Sequence, residues 1–499
     1  MTRRKFMEGV AAASAMTIVP RSVLGGPGYV APSDKINIAQ IGCGTQAINQ
    51  FNTGILTRDD IQLTSVTDPN RDSQDYVSWG PFSTQRSARR LLQDDSWGEG
   101  DTGTRGGREY AKLISETYYG KTAGRESYDG IRAYADFREM LAQEDEADAV
   151  MVIVPDHQHA GIAIAAMEAG KHVIMHKPVA VTPYEVRRVM ETIDRTGKIT
   201  HLLAYHPKEQ FRRLESWLSG GMIGRIREVH NWTNRPVWPQ GWSDYPQERV
   251  SVPDGMNWDL WQGPVPEQNY HPLLTHTLYR GWYNYGVGCL GDMGNYSLWQ
   301  PHRFLDLDAP NMVEAYTNKS VILTEQNTCR NTNASPVAFP NASQIHFRFP
   351  AKGDRPEVDM YWYSGAMKPQ TPKEMIDDGT QLPSEGMLFV GDHGKMLCDF
   401  YGGNPQLLPQ SRMKALGVGE EEDVDSDQND DWTHAILTDG HTPGSFKDAE
   451  SLAYTTALGV IALRTPTERL HWDHANLGFT NSSEANNLVR RERREGWEI

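Results

Sequence analysis

The sequence predicts an α/β fold: an N-terminal doubly wound parallel sheet, then an α+β domain on an open, largely antiparallel sheet. Three observations carry this. Short apolar strand-like runs alternate with helical patterns from about residue 35 to 205. The first of these runs ends in a glycine turn, "INIAQIGCGTQA". Beyond about residue 206 the alternation gives way to longer β segments. The implied organisation is an amino-terminal segment over 1–30, a first domain over 31–205 and a second over 206–430. A helix and tail over 431–499 pack back on the body.

Taken in order, the first 25 residues read as an export signal. Arg3 and Arg4 are adjacent, an alanine-rich apolar stretch runs from Gly9 to Val19, and small residues follow at Val23-Leu24-Gly25. That stretch is too short to span a bilayer as a mature helix. The pattern is that of a twin-arginine signal, so a periplasmic or otherwise exported protein with no lasting membrane anchor is expected.

Ile36, Ile38 and Ile41 form the first strand, and Gly42, Gly44 and Ala47 complete G-x-G-x-x-A behind it. Such a turn lets backbone approach a pyrophosphate, whose charge rests on the next helix N-terminus. Gly42, Cys43, Gly44, Thr45 and Gln46 are the expected cradle. The second strand, "IQLTSVTD", ends in Asp68, near the spacing at which a carboxylate accepts ribose hydroxyls. This is the mark of a Rossmann domain binding NAD; Arg71 nearby leaves the 2′-phosphate of NADP open.

Residues 72–130 are a polar, glycine-dotted insertion with one helix, Arg108 to Tyr119. Asp136 to Glu139 opens another helix as a capping box. "ADAVMVIVP" is continuously apolar, as a buried parallel strand should be. An alanine-rich helix ends near Gly170, the strand Val173–Met175 follows, and a helix over Pro183–Thr196 leads to a sixth strand. In the second domain, "IREVHNWTN", "ASQIHFRFP" and "VDMYWYSG" read as strands, and "GMLFVGDHGKMLCDF" as a hairpin. The acidic run Glu420–Asp431 reads as a solvated loop, and a helix runs from Phe446 to Arg464.

Composition narrows the function. The 499 residues carry a net charge of −16, which argues against a nucleic-acid partner. Cys43, Cys289, Cys329 and Cys398 have neither C-x-x-C nor metal spacing, and His157 with His159 has no third ligand nearby, so no metal is expected.

Doubly wound sheets bind ligands beyond the carboxyl ends of their strands. That puts Pro155, Asp156 and His159, and His176 with Lys177, on the rim that also holds Gly42 and Asp68. A lysine there can donate to a cofactor ribose and exchange a proton with a substrate hydroxyl. In the second domain, Trp and Tyr cluster beside Arg235 and Arg280, which suits a sugar ring.

The glycine fingerprint, the segment "VPDHQHAGIAIAAMEAGKHV" and the strand ending in Lys-Pro together resemble the Gfo/Idh/MocA family: glucose-fructose oxidoreductase, inositol dehydrogenase and rhizopine-catabolism oxidoreductases. The resemblance extends to "GRIREVHNWTNRP", "GMNWDLWQGPVP" and "FTNSSEANNLVRRERREGW". It implies NAD or NADP, a carbohydrate or cyclitol substrate, and a homo-oligomer, dimer or tetramer, formed on the open sheet. Lys177 matches the lysine of the family's Glu-Lys-Pro motif, with His176 in the glutamate's place. His159 and Asp156 match the rim histidine and asparagine. Asp292 matches the aspartate of Asp-x-x-x-His, and Tyr296 stands where that histidine should be.

The resemblance thus implies Lys177, Asp292 and Tyr296 as catalytic residues, with Lys177 lowering the tyrosine's pKa if Tyr296 is the base. His302 is the alternative base. Tyr205, His206, Arg235, Trp238, Trp282, Asp292, Tyr296 and His302 are the candidate substrate residues. Bland alternatives stand beside these: Asp292 as a helix N-cap and Tyr296 as packing. The expected activity is hydride transfer to or from a secondary hydroxyl with a tightly bound cofactor. Alternatives are a redox-neutral NAD-dependent glycosidase and a non-catalytic sugar-binding protein on the same fold.

Overall fold

The computed structural model describes residues 35–51, 55–205, 211–323, 326–332, 335–417 and 428–499. The segment expected to be an export signal, His206 and the acidic stretch 420–427 lie outside the described residues.

The first sheet has six parallel strands: β1 (Ile36–Ile41), β2 (Ile61–Thr67), β3 (Arg132–Tyr134), β4 (Ala149–Val152), β5 (His172–Met175) and β6 (Thr200–Leu202). Their order is β3-β2-β1-β4-β5-β6, so the winding direction reverses between β1 and β4. Every residue of β4 is buried, because a parallel strand is covered on both faces. The connecting helices are α1 (Thr45–Gln50), α2 (Ser83–Leu92), α3 (Arg108–Thr122), α4 (Phe137–Gln143), α5 (His159–Glu168) and α6 (Pro183–Thr196). The insertion over 72–130 thus holds two helices rather than one. Its first helix, α2, begins without a side-chain cap, which removed the usual sequence signal for a start. Asp136 does cap α4, its Oδ1 accepting from the Arg138 N–H at 2.9 Å.

The second domain is built on nine strands. Chain order gives β7 (Ile226–Trp232), β8 (Met312–Thr317), a separate pair β9 (Ser320–Leu323) and β10 (Cys329–Thr332), β11 (Ser343–Phe349), β12 (Val358–Ser364), β13 (Gly386–Gly391), β14 (Gly394–Cys398), β15 (Gln406–Leu408), β16 (Leu470–Asp473) and β17 (Gly478–Phe479). The large sheet runs β15-β14-β13-β7-β12-β11-β8-β16-β17. All its pairings are antiparallel except β7 with β12. Part of the segment 431–499 therefore joins this sheet, as β16 and β17. Residues Gln428–Thr438 are helical, where the sequence had suggested a loop as far as Asp431.

One face of the large sheet is covered by α7 (Gly288–Ser297) and by a long helix that packs closely on it at a glycine. A Cβ at Gly459 would lie 2.3 Å from Leu290 Cδ2 and 2.9 Å from Phe347 Cζ, so a larger residue would make those side chains shift. Between these in the chain lies α8 (Trp299–Phe304), and the long helix is α9 (Glu450–Arg464). Helix α9 touches β8, β11 and α7, and also α6 of the first domain, so it ties the two sheets together. The opposite face carries a ladder of flat polar rings: His230 stacks on Tyr361 at 4.8 Å, and Tyr361 on His346 at 4.5 Å.

Candidate active site

The site lies where the loops after β1, β2, β4 and β5 face the second domain. Gly42 has φ +97°, and a Cβ there would sit 2.0 Å from the Ile153 carbonyl oxygen, so the turn between β1 and α1 requires glycine. Asp68 ties this turn down: Oδ2 accepts from the Cys43 N–H at 2.7 Å and Oδ1 from the Asn70 N–H at 2.8 Å. Burial pushes the Asp68 carboxyl up, against the pull of those two amides. Gly42, Gly44, Thr45, Gln46, Asp68, Pro155, His176 and Lys177 all line one continuous groove. The narrow glycine turn and the carboxylate at the end of β2 fit a dinucleotide: the backbone suits a pyrophosphate and Asp68 suits ribose hydroxyls.

Four expected cofactor residues stand elsewhere. The Cys43 thiol is buried toward the Thr67 carbonyl, away from the groove, and only its N–H serves the turn. Arg71 is exposed and outside the groove. Asp156 turns to the second domain, accepting from Tyr279 Oη at 3.0 Å and from the Val287 N–H at 3.1 Å. The buried His159 ring lies between two carbonyl oxygens, Pro178 at 2.5 Å and Val154 at 2.9 Å. It therefore staples the β4 turn to the Lys177-Pro178 turn instead of touching a ligand.

At the other end of the groove, Lys177 is only 3% exposed and its Nζ bonds Asp292 Oδ1. Arg280 Nε donates to the same oxygen at 3.0 Å. Burial pushes the Asp292 carboxyl up, but the Lys177 and Arg280 cations outweigh it and hold the group below the usual carboxylate range. Asp292 is thus no N-cap; it sits inside α7 and spends its charge across the domain boundary.

Tyr296, one turn further along α7, places Oη 3.2 Å from His176 Nε2, with Lys177 Nζ 5.3 Å from its ring centre. Burial, and then the Asp292 charge, push the phenol well above its ordinary value. The lowering expected from Lys177 does not prevail: Arg280 is the cation that pulls the phenol down, and burial with Asp292 outweighs it, so the ring stays protonated. His176 is driven the other way. Burial, then the Lys177 charge, hold it well below the ordinary imidazole value, so it is neutral.

Of the candidate substrate residues, Arg235 pairs with Glu385 at 2.5 Å and lies beside Tyr401, which meets Tyr296 edge-on at 6.3 Å. Trp238 backs the exposed Trp79 of the insertion at 6.2 Å, and the Arg280 guanidinium lies 5.8 Å from the Trp79 ring. Three others belong to the core. Tyr205 packs edge-on against Trp299. Trp282 is fully buried beneath Trp242 and donates to the Leu273 carbonyl at 2.8 Å. His302 bonds Ser451 Oγ at 2.9 Å, and burial lowers it to about 3. It does not line the groove; its ring meets Phe349 edge-on at 5.3 Å instead.

The structure adds wall residues that motif reasoning did not supply: Tyr76 and Val77 from the insertion, His276 and Thr277 from the second domain, and Trp497 from the tail. Tyr76 Oη meets Asn70 Nδ2 at 3.1 Å, and its ring packs on His276 at 4.1 Å, directly over the glycine turn. Among the described residues no group of His, Cys, Asp and Glu is arranged to hold a metal, and no helix is long and apolar enough to cross a membrane.

Comparison with known proteins agrees with this geometry. Residues 107–204 match the family model described as an oxidoreductase family, NAD-binding Rossmann fold. Residues 217–322 match that of the oxidoreductase family C-terminal alpha/beta domain. Levoglucosan dehydrogenase of Pseudarthrobacter phenanthrenivorans is 32% identical over 119 residues, 22% of this chain. Inositol 2-dehydrogenase of Salmonella typhimurium is 28% identical over 99 residues, 19% of this chain. The alignment spans 29% of the length of each of these relatives.

Among solved structures, the WlbA dehydrogenase of Bordetella pertussis, in complex with NADH and UDP-GlcNAcA, superposes with a TM-score of 0.51 at 13% identity. The match covers 88% of this chain and 99% of that one. The aldose-aldose oxidoreductase of Caulobacter crescentus, complexed with glycerol, gives 0.50 at 15% identity, over 88% and 100%. At such identities these two likenesses speak to the fold. The two family models thus match residues 107–204 and 217–322 in chain order, one on each of the two observed domains.

Proposed function

We propose that the protein is an NAD-dependent oxidoreductase acting on a secondary hydroxyl of a sugar, glycoside or cyclitol, with its cofactor tightly held. The observation that carries this is the buried Lys177–Asp292–Arg280 cluster at one end of the groove that begins at Gly42 and Asp68. The names of the levoglucosan and inositol dehydrogenases support the substrate class. The buried Asp68 carboxylate favours ribose hydroxyls over a 2′-phosphate, and so NAD over NADP.

Nicotinamide, when bound, supplies the hydride acceptor or donor. The protein's share is the proton. In reduction the carbonyl carbon gains hydride and the Lys177 ammonium gives a proton to its oxygen, leaving a neutral amine; in oxidation that neutral amine accepts the hydroxyl proton as the carbon loses hydride. Asp292 and Arg280 fix the lysine, and the protonated Tyr296 donates a hydrogen bond while His176 holds its hydroxyl in place. Trp79 and Trp238 offer a ring wall beside Arg280.

The roofing of the groove by Tyr76, His276 and Trp497 favours a second reading in which the cofactor is reset within each turnover, as in a redox-neutral glycosidase. Export of the loaded protein through the twin-arginine route is consistent with a cofactor that stays bound. A homo-oligomer would use the polar ring face of the large sheet. Mass spectrometry of the cofactor that co-purifies, followed by a panel of free sugars, cyclitols and glycosides, tests these readings. Oxidation changes the absorbance of the nicotinamide; glycosidase turnover releases the aglycone with no net change. Purified protein that neither carries nor takes up NAD sinks both.

A further inference from the structure

The sheet order puts the loop after β3 at the opposite end of the groove from Lys177, which follows β5. Phe137, which opens α4 after β3, lies toward that end; it, Ile162, Leu260, Trp261 and Trp497 line the groove, with Asp136 and Gln158 as polar neighbours. The first four come from the two domains. Trp497 comes from the tail, and its placement is enforced.

Glu185, near the start of α6, is 1% exposed and accepts from Arg491 Nε and Arg493 Nη2, each at 2.6 Å. Burial pushes that carboxyl up, but the two arginines outweigh it and hold it ionised. Arg493 Nη1 also donates to the Trp497 carbonyl at 3.0 Å. Arg494 reaches the second domain, bonding Asp259 Oδ1 at 2.5 Å and the Gly263 carbonyl at 2.8 Å. The Trp497 ring is then gripped from the side by Phe137 at 6.1 Å and by the Arg138 guanidinium at 4.5 Å. The tail is therefore stitched to both domains across the far end of the groove.

We propose that this far end is the adenine subsite and that Trp497 is its outer wall, so that the tail governs how slowly the dinucleotide leaves. The inference rests on the reading of the groove as an NAD site. A purine is flat and apolar on its faces, and an indole wall opposite Ile162 and Leu260 suits it without reading its edge.

The test uses the full chain, Trp497→Ala and Trp497→Phe. NADH release from each is followed by fluorescence, and NAD retained through gel filtration is measured. Binding of nicotinamide mononucleotide, which lacks the adenine, is measured alongside. The expected result is release about tenfold faster or more in Trp497→Ala, near-normal release in Trp497→Phe, and unchanged mononucleotide binding. Unchanged NADH release in Trp497→Ala overturns the tail's role. Equal weakening of the mononucleotide overturns the adenine assignment, since the variant has then loosened the whole groove. A wild-type chain that binds neither NADH nor the mononucleotide overturns the NAD reading itself, and this inference with it.

Discussion

Lys177 and Asp292 stand 115 residues apart in the chain and meet as an ion pair buried between the two domains. Neither charge has water to fall back on, and Arg280 adds a second cation to the same carboxylate. Asp292→Asn strands two buried cations at once. Loss of one partner from such a pair costs about 3–5 kcal/mol. Denaturant unfolding should show that loss, and a variant as stable as wild type would mean the pair does not hold the domains.

Lys177→Met keeps the volume of the side chain and removes the proton carrier. Turnover should fall about 10²–10⁴-fold, the usual worth of a positioned acid–base group. Bound NAD should remain, because Asp68 and the glycine turn lie at the other end of the groove. Cofactor content and single-turnover reduction, measured on the same sample, separate the two effects.

Tyr296→Phe removes a hydroxyl that stays protonated throughout the working range. Because burial and Asp292 raise the phenol, it contributes a hydrogen bond and no titration. The expected cost is about 0.5–1.5 kcal/mol in kcat/KM, roughly two- to twelvefold, with the alkaline side of the pH profile unmoved. A shift of the alkaline limb in this variant would make Tyr296 the base after all.

His176 sets the acid side. Its value is depressed by burial and by Lys177 and His159, so the folded protein favours the neutral ring. The contribution of that neutral ring to stability is complete above the unfolded value of about 6.5 and is lost as pH falls through the lower folded value. Activity should therefore hold below pH 6.5 and fail only as the pH falls through that lower folded value, and kcat/KM measured against pH in wild type and in His176→Gln locates the limb. An acid limb that persists unchanged in His176→Gln belongs to another group.

Asp68 should make the site prefer NAD to NADP, since a 2′-phosphate would meet a buried carboxylate. Its two oxygens already hold the Cys43 and Asn70 amides, so Asp68→Ala should also loosen the turn, by about 1–3 kcal/mol. Titration of both cofactors into wild type and variant, with thermal unfolding, reads the two effects separately.

The parallel sheet was legible because strands buried on both faces are written as unbroken apolar runs, such as Ala149–Val152. Lys177 was legible because the rule that ligands sit beyond strand ends needs only local order. The surroundings of these residues were not legible. Asp156 and His159 have rim positions, yet each spends its polar atoms on structure, and only the fold shows which way they turn. His302 lies away from the groove because its partners, Ser451 and Phe349, come from distant segments that spacing does not reveal. Tyr76 and Trp497 reach the groove from an insertion and from the tail. Their positions depend on contacts made across hundreds of residues, beyond the reach of periodicity and spacing.

The stitching of the tail also bears on how the protein is made. Residues 491–494 leave the ribosome more than 300 residues after Lys177, yet they close a groove whose floor runs from Gly42 to Lys177. Domains tend to fold from the amino terminus as they emerge. The nascent first domain is thus left with its far end open until the segment carrying Trp497 emerges, a window in which that end of the groove is uncovered.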